Sequence, residues 1–349
     1  MSDTTDTTAM PAASAMADVP VPPGPAGRTW VSAHLHHHGD QDAVVVGVVR
    51  PAVERLRRAG RAEGFFFLRY WEGGPHLRLR VRTRPEQVAQ VRSVIEETAA
   101  AFHRASPSET PMTPQEYAAS APGLAALERM ADYDTVLHPD NSVAFVDYRP
   151  ETGVFGTGPA LEAVERHLMT ASALAAELIA RGRKPGQRAM DAFALLAANR
   201  TLFTGILPEL AYQARFMVES GGRAAQLIGT PEFERHYEAN KAQLRSTLEA
   251  VWATTRGVAL PEGSVANAWL ESTRDLNDTL VRLELLGRLD AYPDFEAPAD
   301  VLDHINHLVP QLIVERCAHL MCNRLGIGLA QESHLRLLLT RTAFDLCAV

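Results

Sequence analysis

Cysteine is scarce in this 349-residue sequence: Cys317, Cys322 and Cys347 are all it has. They form no CxxC pair and leave one thiol over. That excludes a disulfide framework or a cysteine-built zinc site and suits a reducing compartment, with the thiols serving as small buried hydrophobes. Apolar runs of membrane-spanning length are missing, as are the basic n-region and apolar h-region of a secretory signal. A cytoplasmic location without a membrane partner is expected. Positive charge is in deficit, with 34 Lys and Arg against 42 Asp and Glu and a net charge of -8. Nucleic-acid affinity comes mostly from phosphate neutralisation, so a nucleic-acid partner is not expected either. No GxSxG elbow, phosphate-binding glycine loop or nucleotide fingerprint occurs.

What is present is an ordinary globular composition, 46% hydrophobic and 22% charged, enough to bury a substantial core. Residues 1–27, rich in Thr, Ala, Pro, Asp and Ser and ending in VPVPPGPAG, read as a disordered tail. Residues 28–349 read as a single domain. Its pattern predicts a strand over Trp30 to His36, a helix over Gln41 to Ala59, and hairpin strands 64–71 and 76–82 turned by Gly73, Gly74 and Pro75. A helix with Val88, Val91 and Ile95 on one side follows, then an irregular Pro-rich section and short strands at Asp134 to Leu137 and Ser142 to Tyr148. From Gly158 onward the spacing is helical, with segments near 186–204, 207–220, 230–255, 263–289, 299–324 and 331–347. The fold class is α+β, a small, mostly antiparallel sheet from the N-terminal third packed with a larger helical portion.

One stretch carries unusual charge. In PHLRLRVR, His76, Arg78, Arg80 and Arg82 alternate with Leu77, Leu79 and Val81. A strand sends these two sets to opposite faces, one apolar and one a cationic rail. The rail reads either as the solvated outer face of an antiparallel sheet or as a binding surface. His76 and Trp71 line a peptide groove in the second reading, with Trp71 equally placed for the core.

The histidines carry no metal signal. HLHHH, His34 to His38, ends a strand and runs into the polar turn GDQD without an accompanying ligand cluster, and His304 and His307 lack an identifiable third ligand.

RYWEGGPHLRLRV resembles the signature of the C-terminal elimination domain of class I lanthipeptide dehydratases and of the stand-alone thiopeptide-biosynthesis proteins related to it. Further pieces fall in the same order: Trp30 with its polar segment and helix, YRPETGVFG at 148–156 leading into a helix, and HLMCNRLG at 319–326. The resemblance covers nearly the whole chain from Trp30 onward. In eliminating members, a glutamylated Ser or Thr loses its α-proton and expels glutamate. On that pattern Arg78 and Arg80 match arginines that engage the adduct, Glu151 matches the glutamate of a Tyr-x-x-Glu-x-x-Arg-Tyr-Gly motif, and His319 matches a histidine before an Asn-Arg-Leu run. A guanidinium fork suits carboxylates and carbonyls, and an imidazole transfers protons near neutral pH. Arg82 has no such match and stays with the solvated-face reading, while His319 has a core reading beside the catalytic one.

The chain departs from the eliminating pattern at two positions. Val154 stands where the arginine is expected, and Ala171 where an aspartate precedes Ser172. The second use of the family then becomes the leading expectation: a thiopeptide pyridine synthase, joining two dehydroalanines of a leader-linked, azole-bearing peptide in a formal [4+2] aza-cycloaddition. Water and leader carboxamide are lost, and no metal or organic cofactor is required. The partner is a ribosomal precursor peptide with its leader, in the company of other thiopeptide-pathway enzymes. Catalytic candidates are His319, Tyr148 and Glu151; Tyr70, Tyr212 and Tyr292 are further phenols near motifs or helix ends, each with a core reading. A stand-alone glutamate-elimination subunit and a non-catalytic precursor-binding module are the alternatives.

Overall fold

The computed structural model describes residues 27–128, 130–204, 230–254, 257–259, 264–292 and 307–347. The expected tail before Gly27, the segment 207–220, Tyr212 and His304 lie outside them.

Strand β1 (Thr29–His36) pairs antiparallel with β3 (His76–Thr83) on one side and β4 (Ser142–Val146) on the other, and β2 (Gly64–Tyr70) flanks β3, giving the order β2-β3-β1-β4. The alternation read in the sequence decides the faces. Val31, Ala33, Leu35, Leu77, Leu79 and Val81 are buried in the main core. They share it with Val45, Val48, Val53 and Leu56 from the segment after β1, and with Val91 and Ile95 of the helix that follows β3. That first segment is not the uniform helix expected. It runs as α1 (Gln41–Val44), a π-turn over Val45–Val49 and α2 (Arg50–Arg58). Pro51 has no N–H for the carbonyl of Gly47, and the wider turn absorbs the missing bond. Gly47 is required for a different reason: a Cβ there would lie 2.4 Å from the Phe102 ring of α3 (Val88–Ala105).

Two elements correct the sequence reading. The irregular Pro-rich section contains α4 (Pro114–Leu127), which starts with a capping box between Thr113 and Glu116 and Pro114 in its first turn. Residues 134–137 form no strand, because the local polar groups are taken up around the hairpin: Asp134 N–H donates to Glu72 (3.0 Å), its carbonyl accepts from the Tyr117 hydroxyl, and His138 N–H donates to Gly73 O (2.8 Å). Gly73, at φ 73°, admits that docking; a Cβ would meet the His138 ring at 2.3 Å.

After the short α5 (Thr152–Phe155) come α6 (Gly158–Ala180), α7 (Pro185–Thr204), α8 (Pro231–Ala253), α9 (Val265–Leu285), α10 (Leu308–Arg324) and α11 (Leu329–Cys347). The chain is α+β as expected. Cys317 and Cys322 are buried, with burial pushing both thiols up to about 12, whereas Cys347 is exposed, against expectation, near the end of α11. No helix among the described residues is long and apolar enough to cross a membrane.

The sheet joins the helices at its β2 edge. The Asn323 side chain acts there as a surrogate strand: Arg69 N–H donates to Asn323 Oδ1 (2.9 Å) and Asn323 Nδ2 donates to Arg69 O (3.0 Å). Two residues back, Phe67 N–H donates to Ser172 Oγ (3.1 Å) on α6. An edge that would otherwise offer free backbone groups is thereby closed.

Candidate active site on the polar face of the sheet

The polar face of β3 meets that of β1 in register, His76 opposite His36, Arg78 opposite His34, Arg80 opposite Ser32 and Arg82 opposite Trp30. Leu68 and Phe66 of β2 lie beside Arg78 and Arg80. The solvated-face reading does not survive burial. Arg80 is 8% exposed, and the Arg78 and Arg82 side chains are only 25% and 18% exposed.

The three arginines differ in their partners. Arg78 donates to Glu72 (3.0 Å) and lies 3.3 Å from the Tyr70 ring centroid. Arg82 faces Glu63 at 3.7 Å. Arg80 has no carboxylate partner among the described residues. Its Nη1 reaches only the Leu79 carbonyl (3.5 Å), its Nη2 approaches His34 Nε2 (3.4 Å), and the guanidinium carbon lies 6.0 Å from the Tyr148 ring centroid. Burial, with Arg78 close by, pulls it down to about 10. It therefore stays charged at neutral pH, with donor capacity left over.

Three histidines beside it, His34, His36 and His76, are held in the neutral form by burial. His34 stacks on His76 at 4.6 Å, and the tilted pairs His36–His76 at 4.6 Å and His36–His138 at 4.8 Å extend the row. Burial pulls His34 down to about 2, His76 to about 3 and His36 to about 4. His76 is 1% exposed and its Nδ1 bonds the Gly74 carbonyl at 2.9 Å, so it lies beneath the surface of the face. Trp71 sits at the end of β2, its indole donating to Glu128 (2.9 Å) and its ring against Tyr70 and Tyr133.

Tyr148, just beyond β4, closes one side of the site. Its ring is held by Trp30 (5.5 Å) and Phe66 (5.9 Å), and its hydroxyl donates to Glu165 Oε1 on α6 at 2.9 Å. Burial, reinforced by Glu165, raises the phenol far above its ordinary value; burial likewise raises the Glu165 carboxyl. The sequence reading missed Glu165. Its one signal was a carboxylate set between Val164 and Leu168 in the buried run of α6.

Glu151 occupies the N-cap position of α5 without a side-chain capping bond and faces Arg316 of α10 at 3.6 Å. The α10 residues Arg316, His319 and Asn323 follow i, i+3, i+7 spacing and share one helix face. Since Arg316 points at Glu151 and Asn323 grips Arg69, His319 lies between those two anchors on α10. Its Nδ1 is bonded to Glu332 (2.7 Å), which also pairs with Arg336. No hydrogen bond, ion pair or ring contact joins His319 to the rail among the described residues. Tyr70 lies under Arg78, and Tyr292 is 81% exposed rather than core.

A cleft of about 580 Å³ opens elsewhere, at the far end of β1, lined by His37, Gly39, Phe102 and Ser108 among others. Ser108, His37 and Asp140 cluster there, but not as a hydrolytic triad: Asp140 accepts from Ser108 itself (3.0 Å), and His37 Nδ1 faces both Ser108 (3.1 Å) and Asn141 (2.8 Å). His307 is paired with Glu284 at 2.5 Å, and no group of three or more potential metal ligands assembles among the described residues.

Residues 30–343 match the family described as lantibiotic biosynthesis dehydratase C-term. No curated protein sequence matches the chain. Among solved structures, the pyridine synthase TbtD from thiomuracin biosynthesis superposes with TM-score 0.73 at 22% identity, over 91% of this chain and 99% of that one. TsrL superposes with TM-score 0.62 at 16% identity, over 92% and 96%. The tRNA-dependent lantibiotic dehydratase MibB from Microbispora sp. 107891 superposes with TM-score 0.52 at 21% identity, over 94% of this chain but 29% of the dehydratase. At these identities the structures share a fold. From the match over residues 30–343, the chain belongs to the lantibiotic dehydratase C-terminal family.

Proposed function

We propose that the protein is a thiopeptide pyridine synthase, closing a macrocycle between two dehydroalanines of a leader-linked peptide with loss of water and leader carboxamide. The observation that carries the reading is Arg80, a buried guanidinium with no carboxylate partner among the described residues, beside a phenol already committed to Glu165. A pyridine synthase must hold two alkenes of a flexible chain in reacting geometry, where effective molarity supplies several kcal/mol, and must stabilise negative charge on the amide oxygen as the iminol forms. Arg80 has the donors for that oxygen. Arg78 and Arg82 face Glu72 and Glu63, and the neutral histidines with the Phe66 and Leu68 side chains surround Arg80 with uncharged groups, as suits a substrate without a carboxylate at its reacting centre.

The two departures from the eliminating pattern point the same way. Val154 packs with the apolar cluster around Phe155 and Tyr148, and Ala171 is fully buried in α6. Neither position offers a charge to a departing glutamate or to its binding arginine. Glu151 takes its cation from Arg316 of α10 instead. TbtD, the pyridine synthase whose fold is shared over nearly its whole length, supports the same assignment.

Offering the purified protein a glutamylated Ser-containing peptide and, separately, a leader-linked peptide with two dehydroalanines tests the proposal by mass. The expected result is an unchanged first peptide and a cyclised second one. Conversion of the first to dehydroalanine, with no cyclised product from the second, would reassign the protein as a glutamate-eliminating subunit. Inactivity on both, with leader binding retained, would make it a binding module.

A further inference from the structure

Glu165 belongs to no motif that the pyridine-synthase reading uses, yet it is among the few carboxylates buried in the described structure, at 5% exposure. It sits one layer behind the polar face of the sheet, and Tyr148 stands between it and Arg80. The phenol has one proton, and that proton is given to Glu165 Oε1 at 2.9 Å. In this arrangement Tyr148 Oη presents lone pairs to the site. It can accept a proton from a bound group, while giving its own to the carboxylate. Trp30 and Phe66 fix the ring in that orientation from two sides.

Resting on the proposed cyclisation, we infer that Glu165 is the proton store of the site, a positioning residue that acts through Tyr148 to convert the substrate amide into its iminol. The step balances without a cofactor. The amide N–H bond breaks, its electron pair forms the C=N bond, and the carbonyl π pair moves onto oxygen, where Arg80 holds the resulting charge. The amide proton forms a new O–H bond on Tyr148, whose original proton passes to the Glu165 carboxylate. Reversal of the relay then delivers a proton to the oxygen of the same amide group, leaving C–OH, the group lost later as water. Tyr148 and Glu165 return to their starting states. The environment of Glu165 suits temporary proton storage: burial favours its neutral form, Glu162 adds to that, and Tyr148, Arg82 and Trp30 oppose it, so that neither form is locked in. Tyr148 in turn faces Arg80 and Glu151 besides Glu165.

Glu165→Gln preserves shape and still accepts the phenol hydrogen bond but cannot take its proton. It is expected to lower kcat for macrocycle formation by about 100-fold with KM for the leader-linked substrate nearly unchanged, and to remove the acid limb of the pH–rate profile. Tyr148→Phe should cost as much, and the double variant no more than either single one. Multiplying losses, or a Glu165→Gln enzyme with the wild-type kcat and acid limb, would overturn the inference. A readout independent of turnover separates this failure from failure of the cyclisation reading. The phenolate absorbance of Tyr148, taken as the difference between each background and its Tyr148→Phe counterpart, should develop at lower pH in Glu165→Gln than in the wild type. An unmoved phenolate titration would show that the pair does not exist in solution, whatever the protein catalyses.

Discussion

Arg80 separates folding from chemistry within one side chain. A buried guanidinium without a carboxylate is costly to the fold, and replacing buried charges by apolar residues of similar volume is often neutral or stabilising by about 1 kcal/mol or more. Arg80→Met is therefore expected to keep or raise the Tm while lowering macrocycle formation by about 100-fold, the typical loss on removing one donor from a developing oxyanion. Arg82→Ala, whose guanidinium faces Glu63 and reaches the site only through the charge of Glu165, should cost far less than the Arg80 variant. Turnover assays beside thermal melts decide this; equal, small losses from both would return the rail to a purely structural role. The alternation HLRLRVR made the rail legible in the sequence. Which of its arginines is unpaired was not, because Glu72 comes from the hairpin turn, Glu63 from before β2 and Tyr148 from beyond β4, contacts that no local spacing encodes.

Among the elements, strands β1 to β3 and helices α6 to α9 were readable from period-two and helical spacing, since each buries one face against a single layer. The π-turn and α4 were not. A single helix was expected straight through Pro51, which a wider turn in fact accommodates; the stretch around Pro114 was expected to be irregular, although that proline begins a helix and the capping pair Thr113 and Glu116 was the signal overlooked. The partner of the β2 edge was also hidden, since Asn323 is 254 residues from Arg69. The β1–β3 histidine stack gives the sheet a pH dependence. His76, buried and pulled down to about 3, has an ordinary value of 6.5. Between those values the unfolded chain binds the proton that the folded one refuses. Stability is then full above about pH 6.5 and falls as the pH drops, by about 1.4 kcal/mol per pH unit for this one residue, until the folded value is reached. His34 and His36 act in the same direction, with Arg78 and Arg80 facing His34, and His138, His38, Asp134 and Asp140 facing His36. Denaturant unfolding from pH 7 to 4 should show the decline, and His76→Gln should shallow its slope by about one proton's worth. An unchanged slope would mean that the ring is protonated in the fold.

At the scale of the whole molecule, the sheet supplies a fixed reactive face and α6 and α10 close it along β2 and Tyr148. The resemblance running from Trp30 to Gly326 showed the family in the sequence, whereas the hydrogen-bonded pair of Tyr148 beyond β4 and Glu165 on α6 emerged only once the layers were assembled. A face built from a guanidinium without a carboxylate partner among the described residues, neutral rings and aliphatic side chains discriminates weakly among flexible peptides, so selectivity is expected to rest on binding of the leader at a distance from the reacting alkenes. Removing the leader from the substrate should lower kcat/KM by about tenfold or more while leaving the peptide chemically competent, remote binding energy being what holds the reactive segment in place. An undiminished kcat/KM would place recognition in the core peptide instead. The identity of the products tests the proposed cyclisation most directly. Intact-mass analysis of the wild-type protein acting on the leader-linked peptide with two dehydroalanines should show one macrocycle, one water and one leader carboxamide formed together in equal amounts. Persistence of the linear peptide, under conditions where the leader is bound, would contradict it.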